Sequence, residues 1–151
     1  MYDYPVKLTK ASGKGEKGYT VTFPDVPEAI TEGDDKAEAL ENAVEALEVG
    51  LSFYVDAGKP LPRPSAAHGR PTVRPRLIAA FKLLIYSQMQ VRHIRKSDLK
   101  KLLSISSTAV ERLLDLNHDS RLDHLENALR LLGNDIDIKL RRHHEGMGAA
   151  V

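Results

Sequence analysis

The sequence predicts an α+β fold made of two modules, and three observations predict it. Alternating apolar residues open the chain, since Tyr2, Tyr4, Val6 and Leu8 would share one strand face, as would Tyr19, Val21 and Phe23. Helical spacing dominates everything after Pro75. Between the two patterns lie five of the eight prolines, Pro60, Pro62, Pro64, Pro71 and Pro75, a composition that marks an extended connection.

The elements follow in order. The two alternating runs flank the Gly/Lys-rich stretch 10–17 and read as a β-hairpin with a long loop. Pro24-Asp25-Val26-Pro27 stops the second strand, and Ala29-Ile30-Thr31 supplies one more short strand. Asp35, with Glu38 three residues later, opens a helix in capping-box fashion. Leu40, Val44, Leu47, Leu51 and Tyr54 form its apolar face, flanked by the small residues Ala39, Ala43, Ala46 and Gly50, which would let the helix lie close to a sheet. Val73 is placed to add an edge strand to that sheet. Pro75 suits the first turn of the next helix, lined by Leu77, Phe81, Leu84 and Ile85. Ser97, Ser106 and Ser120 (the last with Asp123) then read as caps of three short amphipathic helices. Gly133-Asn134 ends the last of them, and Ile136-Asp137-Ile138-Lys139-Leu140 alternates as a strand would. The modules are residues 1–64, a linker 65–75, a second module 76–142 and a tail 143–151.

Composition narrows the function. The chain has 151 residues, no cysteine and no apolar run long enough to span a bilayer. With no signal-peptide pattern at its start, it reads as cytoplasmic, with no membrane partner. The net charge of +1 conceals an asymmetry: residues 1–64 carry seven Lys/Arg against twelve Asp/Glu, and the remainder fifteen against nine. A basic half is the footprint expected for nucleic acid, and an acidic half suits a basic protein.

The two short helices around Ser104-Ile105 have the form of a helix-turn-helix. Ile105 would pin the corner, and Ser106 caps the second helix, whose first turn carries Ser107 and Thr108, residues able to reach bases or phosphates. Lys96, Lys100, Lys101 and Arg112 supply cations, and Arg121 a further phosphate contact. His118 is placed to touch a phosphate or to cap a helix. Lys100 stands where the first helix normally has a small residue, and Ser104 where the turn normally has glycine. The competing reading is a plain helical bundle.

These residues together resemble the HicB antitoxins of HicA–HicB toxin–antitoxin pairs. The resemblance rests on Gly18-Tyr19-Thr20-Val21-Thr22-Phe23-Pro24-Asp25-Val26-Pro27, on residues 29–34 and 38–43, on the Gly58–Ser65 exit, and on the run Val110–Gly133. It implies a partial ribonuclease-H-like β/α module at the N-terminus that binds and blocks a small mRNA-cleaving HicA-like toxin. It implies also a C-terminal module that represses the pair's own operon by binding double-stranded operator DNA, and a protein at least dimeric, a homodimer or higher homo-oligomer. A ligand-sensing repressor with no toxin partner is the alternative.

The candidate toxin surfaces are the acidic helix face, with Glu41, Glu45 and Glu48, and the loop with Phe23, Asp25 and Val26. Ile136, Ile138 and Leu140 would pair with the same strand of a second chain or return to the N-terminal sheet, because an isolated strand leaves its backbone unpaired. Catalysis is not expected. Asp3 begins a strand and Asp25 sits in a turn, so neither is the strand-centre acid that metal-dependent hydrolysis uses. No histidine pair has zinc spacing with an intervening glutamate, so no metal or cofactor is expected. His143-His144 lies in the tail.

Overall fold

Strands form where the alternation lies. The computed structural model describes residues 1–142. The first run splits into β1 (Tyr4–Pro5) and β2 (Lys7–Lys10), and β3 (Tyr19–Thr22) and β4 (Ile30–Gly33) complete an antiparallel sheet of order β2-β3-β4. Leu8, Val21 and Thr31 lie in register on one face, with Lys7, Thr22 and Ile30 on the other.

Helix α1 (Lys36–Asp56) covers the first of these faces. The Asp35 carboxylate accepts the Glu38 amide at 2.8 Å, which ends the extended run of β4 and starts the helix. The buried stripe differs from the expected one. Ala39, Ala43 and Gly50 sit fully buried with Leu47 and Leu51, whereas Leu40, Val44 and Tyr54 are only half-buried. The cause is close approach. A Cβ on Gly33 would collide with the Ala39 backbone, and one on Gly50 would come within 3.0 Å of Ala29 and Val26. At these close approaches only small side chains fit, so glycine and alanine take them while Leu47 and Leu51 fill the core between them and Leu40, Val44 and Tyr54 lie to the flanks.

The proline-rich stretch runs back along this module. Ser65 donates its amide and hydroxyl to Asp25, and β5 (Thr72–Val73) pairs antiparallel with β1; Val73 is thus in a strand as expected, but in a separate two-stranded sheet rather than at the edge of β2-β3-β4. Helix α2 (Leu77–Arg92) follows, with Pro75 just before its Arg76 cap. It is not one-sided. Phe81, Lys82, Leu83, Ile85, Tyr86 and Met89 are all buried, while Leu77, expected in the core, is exposed. The reason is its central place, packed against α4 (Ser107–Leu114) and α5 (Leu122–Leu131) and tied to the N-terminal module by Tyr86.

Two of the three expected serine caps are corrected. Helix α3 (Lys96–Leu103) starts from Arg95, whose amide donates to the Asp98 carboxylate at 3.0 Å, and Ser97 lies inside it. Helix α5 starts from Arg121 rather than Ser120. In each a first-turn carboxylate accepts a nearby amide instead, Asp98 that of Arg95 and Asp123 that of His124. Ser106 caps α4 as read, accepting the Ala109 amide at 3.0 Å. Gly133, at φ +86°, closes α5, and the Asn134 amide returns to the Leu129 carbonyl. Among the described residues the expected strand 136–140 does not form: no ladder joins it to another strand, and Ile136 alone of its apolar residues packs against the core. Its alternating pattern supplies a face, but no described strand makes a ladder with it, although Arg141 reaches Asp3 beside β1. Among the described residues no helix is long and apolar enough to cross a membrane.

Candidate nucleic-acid and partner surfaces

The α3–α4 corner is built by Ser104 and Ile105. Ser104 takes the left-handed conformation (φ 53°, ψ 47°), and Ile105 packs partly into the core. A non-glycine residue there is uncommon, so the turn stores the small strain that the missing glycine predicted. Lys100 is simply exposed, and its side chain does not enter the helix crossing.

Helix α4 turns Val110, Leu113 and Leu114 inward and leaves Ser107, Thr108, Glu111 and Arg112 exposed along one stripe. Lys96 bonds the Glu111 carboxylate at 2.9 Å, so a carboxylate unremarked in the sequence sits among the expected cations. Thr108, Arg112 and Lys96 share a cleft of about 360 Å³ with Ser52, Val55 and Asp56 from the end of α1. Arg112, His118 and Arg121 meet in a second cleft of about 370 Å³, whose floor includes Leu103, Ile105 and Leu113. Lys100 and Lys101 project from the last turn of α3, exposed, and line neither cleft. His118 is half-buried with its ring Nδ1 3.4 Å from the Ser120 hydroxyl, and Arg121 is paired with Asp123 at 3.0 Å.

A residue that the sequence reading passed over fixes this unit. Lys82 lies buried in α2, and its Nζ donates to three carbonyls, Arg112 at 2.6 Å, Asp115 at 2.7 Å and His118 at 2.8 Å. These are the last carbonyls of α4 and of the turn after it, groups a helix leaves without partners and where its dipole favours a cation. Burial pushes the Lys82 pKa below the usual lysine value, and Asp115 and Asp119 act against that. Three acceptors match the three N–H bonds of the charged ammonium. The signal was a lone lysine within the apolar run Ile78–Tyr86, which sat inside the expected face.

The other buried charge is Glu48, and it corrects an expectation. Its side chain is shielded within the fold, where its carboxylate takes the Arg76 amide at 2.8 Å and the guanidinium at 2.7 Å. It joins α1 to the start of α2 and is closed to a partner. Phe23 and Val26 are likewise core residues, so of the loop candidates only Asp25 keeps surface, and its carboxylate holds Ser65. The apolar side chains fill the space under α1 because the turn between β3 and β4 folds inward. Glu41 and Glu45 are exposed, as read. Of the dimerisation candidates, Ile138 and Leu140 are open to solvent, and Ile136 is half-buried. No group of three or more metal-ligating side chains occurs among the described residues, and His143-His144 lies outside them.

Residues 3–74, the sheet with α1 and its return strand, match the family described as the HicB_like antitoxin of bacterial toxin-antitoxin system. The likeness extends beyond that module. The chain is 35% identical over 135 residues to Antitoxin HicB 2 of Photorhabdus laumondii, covering 89% of this chain and 94% of that protein. It is 34% identical over 137 residues to Antitoxin HicB of Escherichia coli K12, covering 89% and 96%. The chain belongs to the HicB antitoxin family. Its relatives carry the name over nearly their full length, so the helices after Arg76 are part of what they share. As a member of an antitoxin family the chain is not an enzyme.

Proposed function

We propose that this antitoxin-family member neutralises a small mRNA-cleaving HicA-like toxin through its N-terminal half. Its C-terminal half then represses its own operon by laying α4 in the major groove of operator DNA. The observation that carries the DNA reading is the exposed stripe of α4: short polar side chains at its capped N-terminus, Arg112 one turn on, and Lys100 and Lys101 across a tight corner. Short polar groups at a helix N-terminus suit base edges and phosphates, and the flanking cations suit backbone phosphates. Arg121 and His118 extend that rim.

Ile138 and Leu140 support the expected pairing with a second chain, because an alternating segment with free backbone and exposed apolar side chains is completed by a strand from elsewhere. The dimer would set two α4 helices about one DNA turn apart on a palindromic site.

Binding of the full chain to a duplex from upstream of its own operon tests this reading. Ser107→Glu should abolish the sequence-specific complex. Lys101→Ala should weaken binding to all duplexes alike and lower the salt slope by about one. Unchanged binding by Ser107→Glu would remove α4 from the interface. Growth rescue on co-expression with the neighbouring small open reading frame tests the toxin half.

A further inference from the structure

One edge of the N-terminal sheet carries no further strand among the described residues and exposes apolar side chains on both faces. Strand β4 pairs only with β3 among the described residues. The Asn42 side-chain amide donates to the Glu32 carbonyl at 3.0 Å, which places the Asn42 stripe of α1 along the outer edge of β4. Steps of four, three and four residues from Asn42 bring Ala46, Val49 and Phe53 onto that same stripe. Val49 is 40% and Phe53 53% exposed, an unusual pair on a helix that otherwise packs its apolar residues inward. On the opposite face of the same edge Ile30 is 64% exposed, in register with Thr22 and pointing away from α1. A strand or helix laid along β4 would therefore meet apolar side chains from above and below, with edge backbone groups between them.

The border is acidic. Glu28 precedes the edge strand, Glu32 lies within it on the Ile30 face, and Glu38, Glu45 and Asp56 follow the stripe on its solvent side, all exposed. Such a rim attracts a partner whose own apolar contact is surrounded by Lys and Arg. It disfavours a second copy of this chain, which would bring the same charges to a two-fold contact, and it disfavours nucleic acid.

We infer that the β4 edge with the Ala46–Val49–Phe53 stripe is the docking surface for the toxin, a basic protein that covers Phe53 and Ile30 and pairs its cations with this rim. The inference rests on the antitoxin reading and gives it a location, different from the Phe23–Val26 loop and from Glu48, which the fold buries.

The test is co-purification of the full chain with the affinity-tagged product of the adjoining small open reading frame. Phe53→Arg should reduce the recovered complex at least about tenfold, with the melting temperature and binding to upstream operon DNA unchanged. Thr9→Arg, on the far strand of the sheet, should leave recovery at the wild-type level. Wild-type recovery with Phe53→Arg would overturn the docking surface while leaving the antitoxin reading intact. So would a smaller assembly by light scattering with the toxin still bound, because the stripe would then join copies of this chain. Failure of the wild-type chain itself to recover the small protein would overturn the antitoxin reading, and the surface with it.

Discussion

Two helices each bury one charge, and they do so to opposite effect. Glu48 on α1 reaches out of the N-terminal module and takes the amide and guanidinium of Arg76 at the head of α2. Lys82, farther along α2, reaches the other way and collects three carbonyls at the tail of α4. Each charge sits at the helix end whose dipole it complements, an anion at an N-terminus and a cation at a C-terminus. They differ in what is left if they are lost. Arg76 is largely exposed and can turn to water, whereas the carbonyls around Lys82 are gathered about one buried group. The joint between modules is thus the more forgiving, and the joint that aims α4 the less.

Breaking the second joint has the largest expected effect. Lys82→Met keeps the length and apolar stem but leaves the carbonyls of Arg112, Asp115 and His118 without their donor, and should cost about 3 kcal/mol, read as a lower urea midpoint. Operator binding should fall with it even where the protein remains folded, because α4 loses its fixed orientation. Glu48→Gln should cost less, about 1–2 kcal/mol, since one oxygen still accepts from the Arg76 amide. An effect of Glu48→Gln as large as that of Lys82→Met would show that the two joints are equivalent.

Ser104→Gly sharpens the comparison from the other side. It relieves the left-handed serine at the α3–α4 corner and should stabilise the protein by at most about 1 kcal/mol, measured as a raised melting temperature. A loss of stability would mean that the serine contributes more than its backbone costs. The smallest effect is pH-dependent. The Arg95 amide holds the Asp98 carboxyl below its ordinary value of 3.8. Its folded pKa is depressed, so its contribution is full above that value and is lost as the pH falls through the folded pKa. Faster amide exchange at Arg95 under those acid conditions, ahead of that at Ala109, whose cap is an uncharged serine, is the expected reading.

Much of this was legible in the residues. Asp35, Ser106 and Gly133 marked helix ends where they stand, because a cap is a local hydrogen bond or a local torsion. Val73 was read correctly as a strand residue, although its strand pairs with β1 in a sheet of its own. The surfaces were read less well. Phe23, Val26 and Glu48 were offered to a partner, and the fold takes all three for itself. Ile136–Leu140 alternates like a strand yet finds no strand partner among the described residues, since periodicity specifies a face and says nothing of a neighbour.

The sequence by itself determined the α+β class, the order of the elements, the acidic and basic halves and the family, all of which depend on spacing and composition along the chain. Only the tertiary structure decided which charges are buried. Lys82 stands 30 residues from the Arg112 carbonyl it binds, and Glu48 28 from Arg76. It also decided which face of α1 is covered, because Gly33 and Gly50 let Ala39 and the Val26–Ala29 turn approach closely on one side, while Val49 and Phe53 stay exposed. Such outcomes depend on how closely elements approach, a distance that no single segment encodes.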